Sequence, residues 1–174
     1  QFSVHKRGDA FGIVGFAEDV RAEFYAPPSR SRQASQQLLD RLDAAAFHGR
    51  SAQGVIAAAQ LAPRGSALVF LLSDFMFAPA WLDEALAELA RHDVVPAWLQ
   101  HEAPDSAGTG LLELRDAESG AWRSLWMRPG LARRWSEAQR AHEEAVRECM
   151  ARHHRVPLRI GERFDADAVS GFFS

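Results

Sequence analysis

The sequence predicts an α/β protein: a mostly parallel sheet flanked by helices, with a β-hairpin added. Three observations carry this. Residues 67–72 (ALVFLL) are apolar on both faces, as expected for a central parallel strand covered by helices on two sides. An amphipathic stretch at 79–91 and a second apolar run at 94–99 follow at short spacing, which makes a βαβ unit with a right-handed crossover. Two short runs, 111–115 and 122–127, flank the turn-forming residues DAESG, the pattern of a hairpin with a glycine-containing loop.

The remaining elements fall around this frame. Arg7-Gly8-Asp9 reads as a turn feeding the strand at 11–16 (FGIVGF), an apolar run rich in β-branched and aromatic residues. A second strand covers 20–25, with Val20, Ala22 and Phe24 on one face, and Pro27-Pro28 are expected to stop it. Between 31 and 47 the spacing of Ala34, Leu38, Leu39, Leu42 and Ala45 makes a helical stripe. A loop at 49–54 leads into a short helix at 55–61, ended near Pro63. In the segment 79–91, Leu82, Leu86 and Leu89 point inward. A long charged helix at 131–154, a short strand at 157–160 and a closing helix at 166–173 complete the chain, which reads as one domain.

Composition narrows the function. At 174 residues and 47% hydrophobic, the chain can bury a substantial core. A net charge of −3 removes any electrostatic case for general nucleic-acid binding. Cys149 is the only cysteine, so no intrachain disulfide forms and a reducing, cytoplasmic location is expected. No apolar run approaches the roughly 20 residues that cross a bilayer. The chain opens on Gln1, so tethering segments in a longer protein would lie outside it.

Several segments carry a family resemblance: RGDAFGIVGFAEDV, PPSRSR, QQLLDRLDAA, LVFLLSDF, the RHDVVPAWL step and LLELRDAESG, in this order. Together they resemble the MoxR-associated branch of the von Willebrand factor A family, domain of unknown function 58. The resemblance covers most of residues 7–173, and LLSDF and RDAESG are its most telling parts. It implies a Rossmann-like sheet, a protein-binding role without enzymatic activity, and a partner among the MoxR-type AAA+ ATPases that help assemble or remodel protein complexes. The family's divalent-metal site draws on an Asp-x-Ser-x-Ser motif after the first strand, a Thr in a second loop and an Asp in a third. This chain contains no Asp-x-Ser-x-Ser and reads as N-terminally incomplete. Ser51, in the Gly49-Arg50-Ser51-Ala52 loop, takes the threonine's place, and Asp74 matches the third-loop Asp. Two ligands fall short of the near-octahedral oxygen shell that Mg²⁺ requires, so tight binding is expected only in a longer protein. The implied partner-binding set is Gly49, Arg50, Ser51, Asp74 and Phe75. The resemblance also places a missing strand between those at 11–16 and 67–72. Either another segment or chain fills that slot or the two strands pair directly, and self-association through the open inner edges is the expectation.

Each candidate has a plainer reading. Asp74 ends a strand at the carboxyl edge of a parallel sheet, where ligands of open α/β sheets sit, yet an Asp there also caps the following helix. A metal-assisted hydrolase acting through Asp74 is the alternative function, and it requires several acids or histidines converging beside that residue. The segment 49–54 has the GxxxxG spacing of a phosphate loop, but Val55-Ile56 stand where Lys and Ser/Thr would meet the phosphates. It is also one residue too long for a GxSxG nucleophile elbow. His142-Glu143-Glu144-Ala145-Val146 lacks the second His of a zinc protease. His142, His153 and His154 read as solvated positions on the charged helix, with a metal role as the lesser alternative, and Cys149 reads as a small buried hydrophobe. Among the five tryptophans, Trp122 and Trp126 share one face of the hairpin, and core packing is favoured over a contact surface.

Overall fold

The computed structural model describes residues 8–45, 51–100, 110–115, 122–161 and 166–173. Strands β1 (Phe11–Phe16) and β2 (Val20–Ser29) pair antiparallel. Contrary to the sequence expectation, β2 runs through Pro27 and Pro28. The register shows why: Phe11 faces Ser29 while Ile13 faces Ala26, so an irregularity absorbs both prolines opposite Gly12. A residue without an N–H belongs at such a bulge, where no ladder bond is lost. Gly12 makes room for it, since a Cβ there would lie 2.8 Å from the Ala26 carbonyl oxygen and from the Pro28 nitrogen.

Helix α1 (Arg32–Asp43) starts at Ser31, whose Oγ accepts from the Ala34 N–H at 3.3 Å. Helix α2 (Val55–Gln60) follows. Its entry is tied to the β1–β2 turn: the Gly54 N–H donates to the Ala17 carbonyl at 2.8 Å. A side chain at Gly54 would meet Asp19 backbone atoms at 2.6–2.7 Å, so only glycine permits this approach.

The predicted βαβ unit is present. Strand β3 (Leu68–Ser73) pairs parallel with β4 (Asp93–Leu99), and helix α3 (Pro79–Glu88) connects them. Strands β5 (Gly110–Arg115) and β6 (Trp122–Met127) form the antiparallel hairpin. Helix α4 (Pro129–Arg152) leads to β7 (Leu158–Ile160), which adds to β4 in parallel, and helix α5 (Ala166–Phe172) follows. The parallel sheet therefore has the order β3-β4-β7.

The core lies where α2, α3 and the C-terminal half of α4 meet this sheet. Leu82, Leu86 and Leu89 are buried as their helical spacing requires, beside Val55, Leu71, Val94, Trp98, Val146 and Met150. Each such aliphatic side chain stabilises the fold by about 1.5–3 kcal/mol. All the buried residues of α4 (Val146, Cys149 and Met150) lie in its last two turns.

Two differences from the sequence reading matter for function. β3 is the edge of its sheet, with no strand paired to its outer side among the described residues. One face of ALVFLL packs on the core through Leu71, while Leu68, Phe70 and Leu72 on the other are 51%, 43% and 55% exposed. Phe70 makes an edge-to-face contact with Phe173 there. The second difference is the hairpin. Trp122 and Trp126 are exposed rather than packed in the core, at 67% and 63%. Alternation put them on one face correctly; which side that face meets was not in the pattern.

Candidate functional site at the carboxyl edge of the sheet

All three strands of the parallel sheet point the same way, so their carboxyl ends share one rim. Ser73 is level with Trp98, and Asp74 follows one residue beyond the end of β3. The loop it opens is over-determined. Asp74 Oδ1 accepts from the Met76 N–H at 3.0 Å, and Ser73 Oγ accepts from the Phe75 N–H at 3.0 Å. Phe75 sits between them in the left-handed region, φ 54°. That conformation strains a bulky side chain, by about 1–3 kcal/mol, and persists only where the surroundings enforce it.

The surroundings are visible. The Phe75 ring is fully buried, edge-to-face with Trp98 at 5.8 Å and tilted against Phe77 at 5.9 Å. His142 of α4 reaches across, and its Nε2 donates to the Phe75 carbonyl at 2.8 Å. A carbonyl can only accept, so the imidazole carries its proton on Nε2. The outcome is a rigid loop that leaves the Asp74 carboxylate and the Met76 side chain in solvent, Met76 at 61%.

The residues predicted for the site fall in different places. Asp74 is on the rim. Phe75, expected among the partner-binding residues, turns its ring into the core against Trp98 and Phe77. Its backbone alone remains at the rim. Ser51 lies just ahead of α2 with its Oγ accepting from the Gln53 N–H at 3.2 Å, a local turn. No hydrogen bond joins Ser51 to Asp74 among the described residues. Gly49 and Arg50 lie outside the described residues. For the cation that the resemblance implies, the donor set is thin: the first lone-pair direction of each side chain is already spent on a backbone N–H. The one group of three ligand-type side chains found among the described residues includes neither of them.

Sequence reasoning missed His142 as a clamp, and it missed a polar cluster between α3 and α4. There His153 Nε2 lies 3.0 Å from Asp83 Oδ1, Arg152 donates to the same oxygen at 3.0 Å, and Cys149 Sγ lies 3.7 Å from it. Arg152 first, then His153, holds the Asp83 carboxyl below its usual range. Burial, reinforced by the Asp83 charge, pushes the Cys149 thiol up to about 11. Cys149 and His153 are four apart on one helix, a spacing visible in the sequence. Asp83 comes from another element 66 residues earlier and was not.

Comparison with known proteins fits this arrangement into a family. Residues 1–146 match the family described as "Protein of unknown function DUF58". The chain belongs to that family. A relative of this DUF58 protein, from Paracoccus denitrificans, is 35% identical over 100 residues, 56% of this chain and 95% of the relative; it is called "Uncharacterized protein in moxR 3'region". Among solved structures, the DUF58 chain is similar to "Crystal Structure of Uncharacterized Membrane Spanning Protein from Vibrio fischeri", with 15% identity and a TM-score of 0.25, over 98% of this chain and 77% of that one. A likeness that weak bears on neither fold nor function. No helix among the described residues is long and apolar enough to cross a membrane.

Proposed function

We propose that this DUF58 protein is a non-enzymatic docking module that works with a MoxR-type AAA+ ATPase in assembling or remodelling protein complexes. The observation that carries the reading is the Ser73–Met76 loop. It is a strained, hydrogen-bonded turn at the carboxyl rim of a parallel sheet, and it holds one carboxylate and one flexible thioether outward. Strain kept against a cost points to a functional demand on that loop. An acid beside an exposed Met suits a protein surface, where Met adapts to its partner and the charge sets orientation.

Two further points support it. A relative is named for its place beside moxR, and genes of one assembly are commonly neighbours. The unit β3–α3–β4, with an acid directly after β3, is also what a von Willebrand factor A-like sheet presents at its binding rim, so we read the fold as that type. A hydrolase at the same rim would need converging acids or histidines around Asp74. Among the described residues Asp74 bonds to its own loop and His142 to the Phe75 carbonyl, a pattern that favours the docking reading.

Co-purification with the MoxR-type ATPase of the same organism tests this. The wild-type protein should retain the ATPase. Asp74→Arg, a reversal of the rim charge with the fold intact by circular dichroism, should weaken retention at least tenfold. Equal retention of the variant, or none by the wild type, would sink the proposal.

A further inference from the structure

Among the described residues, one set of side chains has the chemistry and spacing of a transition-metal site: Asp83 on α3 with Cys149 on α4 and His153 at the C-cap of α4. We propose that these three residues bind a zinc ion that ties α3 to α4, with water completing a tetrahedral shell. Nothing at the sheet rim is involved, so the inference stands apart from the docking function.

Geometry argues first. Zinc takes thiolate sulfur at about 2.3 Å and imidazole nitrogen or carboxylate oxygen at about 2.0–2.2 Å. Around a tetrahedral ion these lengths separate nitrogen from oxygen by roughly 3.3 Å and sulfur from oxygen by roughly 3.5 Å. The observed separations are 3.0 Å for His153 Nε2 to Asp83 Oδ1 and 3.7 Å for Cys149 Sγ to Asp83 Oδ1, and all three ligand atoms lie within 4.8 Å of one another. An ion therefore enters by side-chain adjustment alone.

Donor chemistry argues next. A thiolate, an imidazole and a carboxylate make a mixed borderline-soft set, which suits zinc and not Mg²⁺ or Ca²⁺. Cys149 and His153 are one helical turn apart, the pairing by which a helix offers two ligands from one face. Burial is graded: Cys149 is fully enclosed, the His153 side chain is 23% exposed and that of Asp83 is 46% exposed. The sulfur is thus enclosed, and the carboxylate side is open to solvent for ion and water.

The surroundings can adapt. Arg152 now shares Asp83 Oδ1 with His153. Its side chain is 60% exposed and free to shift to Oδ2, where it would hold the ligating carboxylate from behind. Binding releases the thiol proton to solvent, since the thiolate is the ligand.

Purified protein should be stripped with chelator and titrated with Co²⁺ and Zn²⁺. The proposal predicts one equivalent of Co²⁺ bound with a thiolate-to-cobalt charge-transfer band, displaced by Zn²⁺. Zinc at a hundredfold excess over its dissociation constant should raise the melting midpoint by about 5–10 °C. Cys149→Ser should lose the charge-transfer band. Because Cys149 is buried and its variant can lose stability for other reasons, His153→Gln at a partly exposed position gives the independent arm: a folded protein whose zinc affinity drops at least tenfold. Absence of the charge-transfer band in folded wild-type protein overturns the proposal. So does zinc affinity unchanged in His153→Gln.

Discussion

At the scale of single residues, the most informative positions are those whose surroundings contradict their intrinsic preferences. Phe75 is bulky yet left-handed, and it is buried to the last atom. Phe75→Ala removes the ring from its place against Trp98 and Phe77 while leaving the backbone strained. It should destabilise by about 3–5 kcal/mol in urea-induced unfolding, with loss of rim structure before global loss of helix. His92 is a second such residue. Its side chain is buried, its Nδ1 has no hydrogen-bond partner among the described residues, and burial first, then the Arg91 charge, lowers its pKa below 6.5. A base with a depressed folded pKa is neutral in both states above 6.5, so it costs no stability there. As pH falls below 6.5 the unfolded chain takes up the proton first, and stability declines until the folded pKa is passed. Urea midpoints measured from pH 7.5 to 5 should therefore fall for the wild type and fall less for His92→Gln. Residue identities alone could not foretell either case: His92 and Phe75 are defined by what packs on them. Asp74 was legible because its place, one step past an apolar run, is a property of sequence order. Phe75 was assigned to the same rim by adjacency, and the left-handed backbone turned its ring the other way.

At the scale of elements, the periodic segments were readable because their signals are local. Leu82, Leu86 and Leu89 recur at helical spacing and all three are buried. Ser31 is a local signal as well, and Ser31→Ala should cost about 1 kcal/mol of stability in chemical denaturation through loss of the bond to the Ala34 N–H. A cost below a few tenths of a kcal/mol would mean that the cap contributes nothing and α1 is held by packing alone. Signals failed where tertiary pairing decides. Pro27-Pro28 carry the marks of a strand stop, yet the bulge opposite Gly12 lets β2 continue. Trp122 and Trp126 alternate as a strand face must, but only the hairpin's setting tells which face is wet. The Asp83, Cys149 and His153 cluster likewise joins residues that meet only when α4 lies on α3.

At the scale of the whole molecule, two features among the described residues bear on contact with other chains: the carboxyl rim at Asp74, proposed above as the docking site, and the outer side of β3. Leu68, Phe70 and Leu72 form an exposed apolar face on β3, whose outer edge has no paired strand among the described residues and is a ready template for pairing with another chain. The protein should accordingly self-associate with rising concentration in sedimentation velocity. Leu72→Lys, which puts a charge on that exposed strand, should return it to monomer without loss of helix; monomer at every concentration in the wild type would show that the edge is covered by other means. The rim is where the account is most exposed. Hydrogen exchange of the DUF58 protein with and without its MoxR-type ATPase maps the docking surface directly. Slowed exchange concentrated at residues 73–78 is the predicted result. Slowed exchange confined to the β5–β6 hairpin or the β3 edge, with the rim unchanged, would contradict the central claim.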